Sequence, residues 1–92
     1  MEKTYFEAKL TLRNIYMREK MNFFEYAKYT YDLKSMDFET PKTIEEGGCS
    51  KYTYEIIEAS EHTFVAKATA ILYGDSDWTI NQELKLVEIT KE

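Results

Sequence analysis

Residues 63–72 read TFVAKATAIL. In an extended chain successive side chains point to opposite faces, so Phe64, Ala66, Ala68, Ala70 and Leu72 share one face. Val65, Lys67, Thr69 and Ile71 take the other. Three alanines spaced by two cut a shallow trough into the first face. A helix can lie close in such a trough, so the stretch predicts a strand that floors a helix-on-sheet contact.

The same period extends in both directions. Upstream, KYTYEII puts Tyr52, Tyr54 and Ile56 on one face, and the polar turn EASEH joins it to 63–72 as a hairpin. Downstream, GDSD is a second turn, WTIN a third strand with Trp78 and Ile80 on one side, QE a further turn, and LKLVEI a fourth strand. Trp78, the single tryptophan, is read as a packing residue that closes the open end of the sheet over the preceding loop.

The helix is at the other end of the chain. From Lys3 to Tyr29 there is no Gly and no Pro. At 3.6 residues per turn, Tyr5, Ala8, Leu12, Ile15, Tyr16, Phe23, Tyr26 and Ala27 form one stripe, interrupted by Glu19. A second apolar set, Phe6, Leu10, Met17, Met21 and Phe24, lies on nearly the opposite side. An outer helix of a lone small domain needs one apolar face, and this one has two. Either the following loop folds back over the second face with Leu33, Met36, Phe38 and Ile44, or that face packs on another subunit. Residues 30–50 carry Asp32, Ser35, Asp37, Pro41, Gly47 and Gly48, which break any period. The expectation is an α+β fold in one domain, 1–92. One long N-terminal helix (1–29) and an irregular connection (30–50) precede a four-stranded antiparallel sheet (51–90).

Composition bounds the function. The 92 residues suffice for one domain, and a net charge of −5 argues against nucleic acid and against anionic lipid. One cysteine, Cys49, makes no internal disulfide, and with one histidine, His62, there is no zinc set. No apolar run approaches the ~20 residues that span a bilayer, and no signal segment follows Met1. The chain is therefore expected either to be cytosolic or to begin downstream of an address.

Catalytic constellations are equally sparse. His62 sits in a polar turn with no acid–base partner proposed by the sequence. Cys49 would need a histidine to act as a nucleophile. In GDSD, Asp75 and Asp77 are the candidate ligands if the turn holds a cation. The further acids of a calcium loop are absent at the required spacing, and Gly, Asp and Ser are ordinary turn residues. Tyr26, Tyr29, Tyr31, Tyr52 and Tyr54 are read as half-buried framework, with a contact surface as the alternative. No cofactor and no enzymatic activity are expected.

Taken together, these segments resemble the type IV pilins and pseudopilins of bacteria. EAKLTLRNIYMREKMNFFEYAKY is similar to the exposed half of their long N-terminal helix, with Ala8, Leu12, Ile15, Glu19, Phe23 and Tyr29 at the matching places. Residues 52–54, 64–68 and 74–81 match a Tyr-x-Tyr strand, a Phe-x-Ala-x-Ala strand, and a Gly-Asp turn leading into a Trp-Thr-Ile strand. The chain departs from the pattern at four points. EYAKY replaces the usual Glu-Asn-Gly-Thr-Tyr, and Gln82, Glu83 and Leu84 stand where a glycine is common. There is no second cysteine for a C-terminal loop disulfide. The leader and the apolar first half of the helix are missing. The resemblance implies a non-catalytic filament subunit that meets other subunits through Phe6, Leu10, Met17, Met21 and Phe24. It also implies a membrane anchor in the absent half of the helix, and a site of action in the periplasm or an extracellular filament. Motility, adhesion, secretion, DNA uptake and electron transfer all use this plan. The rival reading is a small binding module that captures a peptide or ligand on an aromatic groove.

Overall fold

Alternation along the second half of the chain sets up four strands, and the computed structural model describes residues 5–72 and 75–89. Strands β1 (Tyr52–Ala59), β2 (Phe64–Ala70), β3 (Asp77–Asn81) and β4 (Leu86–Ile89) form one antiparallel sheet in the order β1-β2-β3-β4. Helix α1 (Tyr5–Tyr26) packs across it. This is the α+β architecture expected from the sequence.

Register places one residue set under the helix. Tyr54 pairs with Ala68, Ala68 with Trp78, and Ala66 with Ile80, so these side chains form a continuous face. Phe64, Ala66 and Ala68 are fully buried there, as are Ala8, Leu12 and Ile15 on the helix. Burying a side chain such as Leu12 or Ile15 is worth roughly 1.5–3 kcal/mol. Small alanines opposite large aliphatics are what let the two layers close up. The far face carries Thr53, Glu55, Lys67, Thr69 and Thr79, with Thr53 opposite Thr69 and Glu55 opposite Lys67.

Several expected boundaries move. The helix ends at Tyr26 because Ala27 turns left-handed (φ 61°) and its N–H closes back on the Phe23 carbonyl at 2.7 Å. Ala27 therefore leaves the helix, while Phe23 and Tyr26 stay in its last turns but on the exposed side. Phe23 stacks on Tyr29 (4.9 Å between centroids), and Tyr29 packs on Phe64. Strand β2 stops at Ala70, which leaves Leu72 exposed. Strand β4 starts at Leu86 because Leu84 also turns left-handed (φ 62°). Trp78 lies beneath α1, with the Lys9 ammonium 5.3 Å from its ring centre, and does not close the sheet over the loop.

The long connection is pinned by its own groups. Two short 3-10 turns form it, Lys34–Met36 and Ile44–Glu46, and Met36 and Phe38 are buried. The Glu46 carboxylate accepts the Thr43 N–H at 3.1 Å. Ser50 N–H donates to the Lys42 carbonyl at 3.1 Å, and Ile44 N–H to the Ser50 carbonyl at 3.0 Å. A loop of 42–50 closes on itself in this way.

Candidate assembly face

The rotation of α1 about its own axis decides which side chains it shows to solvent, and polar clamps fix that rotation. In the first turn, the Glu7 carboxylate accepts the Ser50 hydroxyl, the Lys51 N–H at 3.1 Å and the Tyr54 hydroxyl at 3.0 Å. Burial pushes the Tyr54 phenol above its ordinary range, and the Glu7 charge adds to that. Midway along, the Arg18 guanidinium donates to the Met36 carbonyl at 2.7 Å and to the Asp37 carbonyl at 3.2 Å. Near the end, Lys20 donates to the Tyr29 hydroxyl at 3.0 Å and Asn22 to the Lys28 carbonyl at 2.9 Å.

Glu19 is the unusual member of this set. It is fully buried on the core stripe, and its Oε1 accepts the Thr30 N–H at 2.9 Å. Its second oxygen has no hydrogen-bond partner among the described residues. Burial pushes the carboxyl up to about 7, against the lowering effect of the Thr30 N–H. The sequence signal for this was the charge interrupting an apolar stripe. Nothing in the periodicity signalled Glu7, which sits on the flank and is recruited by the start of β1.

With the core side fixed, the second apolar set is turned outward. Phe6, Leu10, Met17 and Met21 are more than half exposed, and Phe24 is 93% exposed. The connection does not cover them. Met36 buries against the flank reached by Arg18, Phe38 joins the core with Arg18 over its ring, Leu33 packs on that core, and Ile44 stays exposed. The stripe runs the length of the helix, which is why the helix looks two-faced in sequence. Arg13, Lys20 and Glu25 flank it.

The other candidates resolve individually. Asp77 is a buried residue at the start of β3, where its Oδ1 accepts the Ala70 N–H at 2.8 Å and its Oδ2 lies 3.7 Å from the Lys67 ammonium. It terminates the β2–β3 ladder. Asp75 is half-buried in the turn before it; Tyr73 and Gly74 lie outside the described residues. Among the described residues no group of three or more His, Cys, Asp or Glu side chains is placed to hold a metal ion. His62 is exposed in the β1–β2 turn, with its N–H on the Ser60 hydroxyl at 3.2 Å. Cys49 is exposed and free. Of the tyrosines, Tyr29, Tyr52 and Tyr54 are buried framework, whereas Tyr26 and Tyr31 face solvent. No described helix is long and apolar enough to cross a membrane.

Comparison with protein-family models, with curated proteins and with solved structures gave no match.

Proposed function

We propose that this chain is the globular part of a filament subunit similar to the type IV pilins and pseudopilins. It performs no reaction, and its work is repeated contact with other subunits through the outer stripe of α1. The observation that carries this reading is the exposure of Phe6, Leu10, Met17, Met21 and Phe24 along one face of a helix whose opposite face is buried. Apolar patches of this kind on a small domain mark interaction surfaces. The clamps at Glu7 and Arg18 hold that face outward as a rigid ridge, so docking needs no rearrangement of the fold.

A second observation supports the resemblance independently of the stripe. The chain departs from the pilin pattern by lacking glycine at two places, in EYAKY and in the turn after Asn81. Ala27 and Leu84 occupy those segments, and both have positive φ, at 61° and 62°. The backbone at both places adopts the conformation that glycine serves best. In this reading the subunit works in the periplasm or in an extracellular filament, and its partners are other subunits of the same kind.

The test is the recovery of filaments sheared from cells that express the full-length protein. The double variant Met17→Glu/Phe24→Glu should abolish recovery, while its purified domain keeps the wild-type melting temperature. Filaments recovered undiminished from that variant, or none recovered from the wild type, would remove the reading.

A further inference from the structure

The two outer edges of the sheet are complementary in strand direction and hydrogen-bonding phase. In an antiparallel ladder, alternate residues turn their N–H and C=O toward a given neighbour. The Ile71 N–H donates to the Lys51 carbonyl at 3.0 Å, so Lys51, Thr53 and Glu55 turn toward β2. Tyr52, Tyr54 and Ile56 therefore turn outward. At one end the Tyr52 N–H donates to the Ser50 hydroxyl at 3.3 Å, and at the other Tyr29 N–H donates to the Ser60 carbonyl at 3.0 Å. Between those seals, the outward backbone groups of Tyr54 and Ile56 meet no partner among the described residues. They floor a groove whose wall is formed by Tyr31, Leu33 and Phe38 with the charged Asp32, Lys34 and Glu39.

The same parity can be followed to the far edge. The Ala70 N–H turns toward β3, where Asp77 accepts it, so Ala66 and Ala68 also face β3 and exchange bonds with Ile80 and Trp78. Asp77 and Thr79 then face β4, opposite Ile89 and Val87. Leu86 and Glu88 are left turned outward, again two residues long. Three successive antiparallel pairings make β4 antiparallel to β1.

We propose that the groove along β1 receives β4 of a second copy, with Tyr54 opposite Glu88 and Ile56 opposite Leu86 of that copy. The register supplies four backbone hydrogen bonds and continues the antiparallel order across the joint. Leu86 of the second copy enters the groove between Leu33 and Phe38, and its Glu88 turns to Lys34, the cation of a lining that also carries Asp32 and Glu39. The self-pairings are poorer. Joining β1 to β1 in the same phase sets Glu55 directly opposite Glu55, and like charges directly opposite are destabilising. Joining β4 to β4 places the two Glu88 side chains on one face as diagonal neighbours and leaves the groove empty. A β1–β4 joint is heterologous and does not close on itself, so it extends a row of copies. It involves none of the α1 stripe and stands independently of the function proposed above.

The joint sets Glu55 beside Val87 of the next copy in a non-hydrogen-bonded pair, the closest cross-strand position. Both side chains are exposed in the single chain. The experiment uses Glu55→Cys and Val87→Cys as separate proteins in a Cys49→Ser background, mixed under mild oxidation. Because a disulfide closes only over Cα separations of about 4.4–6.8 Å, the mixture should give on the order of tenfold more heterodimer than a Glu61→Cys plus Val87→Cys control. The yield should persist when Met17→Glu is added to both proteins. Equal yield from the control, dominant Glu55→Cys or Val87→Cys homodimers, or loss of the link with Met17→Glu would each overturn the proposal.

Discussion

Glu19 holds the Thr30 N–H at 2.9 Å with one carboxylate oxygen and buries the other without a partner among the described residues. One hydrogen bond ties the end of the helix to the connection that follows, at the cost of a carboxyl placed in the core. The adjacent Lys20 ammonium is directed to the Tyr29 hydroxyl. Burial raises the carboxyl from an ordinary 4.5 to about 7. Below pH 4.5 the group is protonated in folded and unfolded chains alike, and its stabilising contribution is fully present. As pH rises toward 7 the unfolded chain releases a proton that the folded chain keeps, so stability falls, levelling off above about 7. The linked loss is on the order of 3 kcal/mol at most. Glu19→Gln keeps an oxygen for Thr30 and cannot ionise. Urea titrations from pH 5 to pH 8 should show wild-type stability declining relative to Glu19→Gln, with Gln the more stable at pH 8. Parallel pH profiles would contradict this account.

Ala27 and Leu84 sit at positive φ without being glycine. The left-handed region costs an L-residue roughly 1–2 kcal/mol, and glycine returns part of that gain through its greater freedom in the unfolded chain. Ala27→Gly and Leu84→Gly should each stabilise by about 0.5–1 kcal/mol in chemical denaturation. The two sites lie in separate turns and share no hydrogen bond, so the double variant should show the sum. A destabilised Ala27→Gly would mean that the turn after α1 is held in some other way.

The parts of this fold that were legible in the sequence are those governed by a repeat. Period two in 52–56 and 64–70 reports directly which side chains face the helix, because the pleat imposes it. The two stripes of α1 were legible for the same reason at period 3.6. The connection was not, since its shape follows from single long-range bonds such as Arg18 to Met36 and Glu7 to Ser50, which leave no periodic trace. The end of α1 was misplaced because Ala27 carries no chemical sign of a left-handed turn. Asp77 read as a turn acid because composition does not distinguish a solvated carboxylate from one that ends a ladder. At the candidate face the sequence named the residues and posed the choice between covered and open. Only packing could decide it, because Met36 and Phe38 carry no sign in the sequence of which side of the helix they meet.

Gly48 is needed for space. A Cβ built there would lie 2.2 Å from the Lys42 carbonyl oxygen, inside any tolerable contact and against backbone. At Gly47 a Cβ would meet nothing within 4 Å, although φ there is +90°. Gly48→Ala should therefore open the 42–50 loop and cost roughly 2–3 kcal/mol, with Gly47→Ala closer to 1 kcal/mol. Thermal denaturation of the pair checks the order. The damage should also reach the Glu7 clamp, because Ser50 and Lys51 leave the same loop.

Ala68 stands at the centre of the trough, fully buried, opposite Tyr54 on one side and Trp78 on the other. Leucine there adds three carbons at a place where helix and sheet already touch, and neither neighbour can yield. Tyr54 is held by the Glu7 carboxylate, and Trp78 is packed under Lys9. Ala68→Leu must then lift α1 or force strained rotamers, at roughly 1–3 kcal/mol. Lifting the helix would loosen the Glu7 and Glu19 bonds together, so the Ala68→Leu protein should also lose part of the pH dependence predicted for the wild type. Thr69→Leu, one residue along and on the far face, serves as the comparison and should leave both stability and pH profile close to wild type. If both leucine variants melt with the wild type, the alanine row is not the floor on which the helix rests.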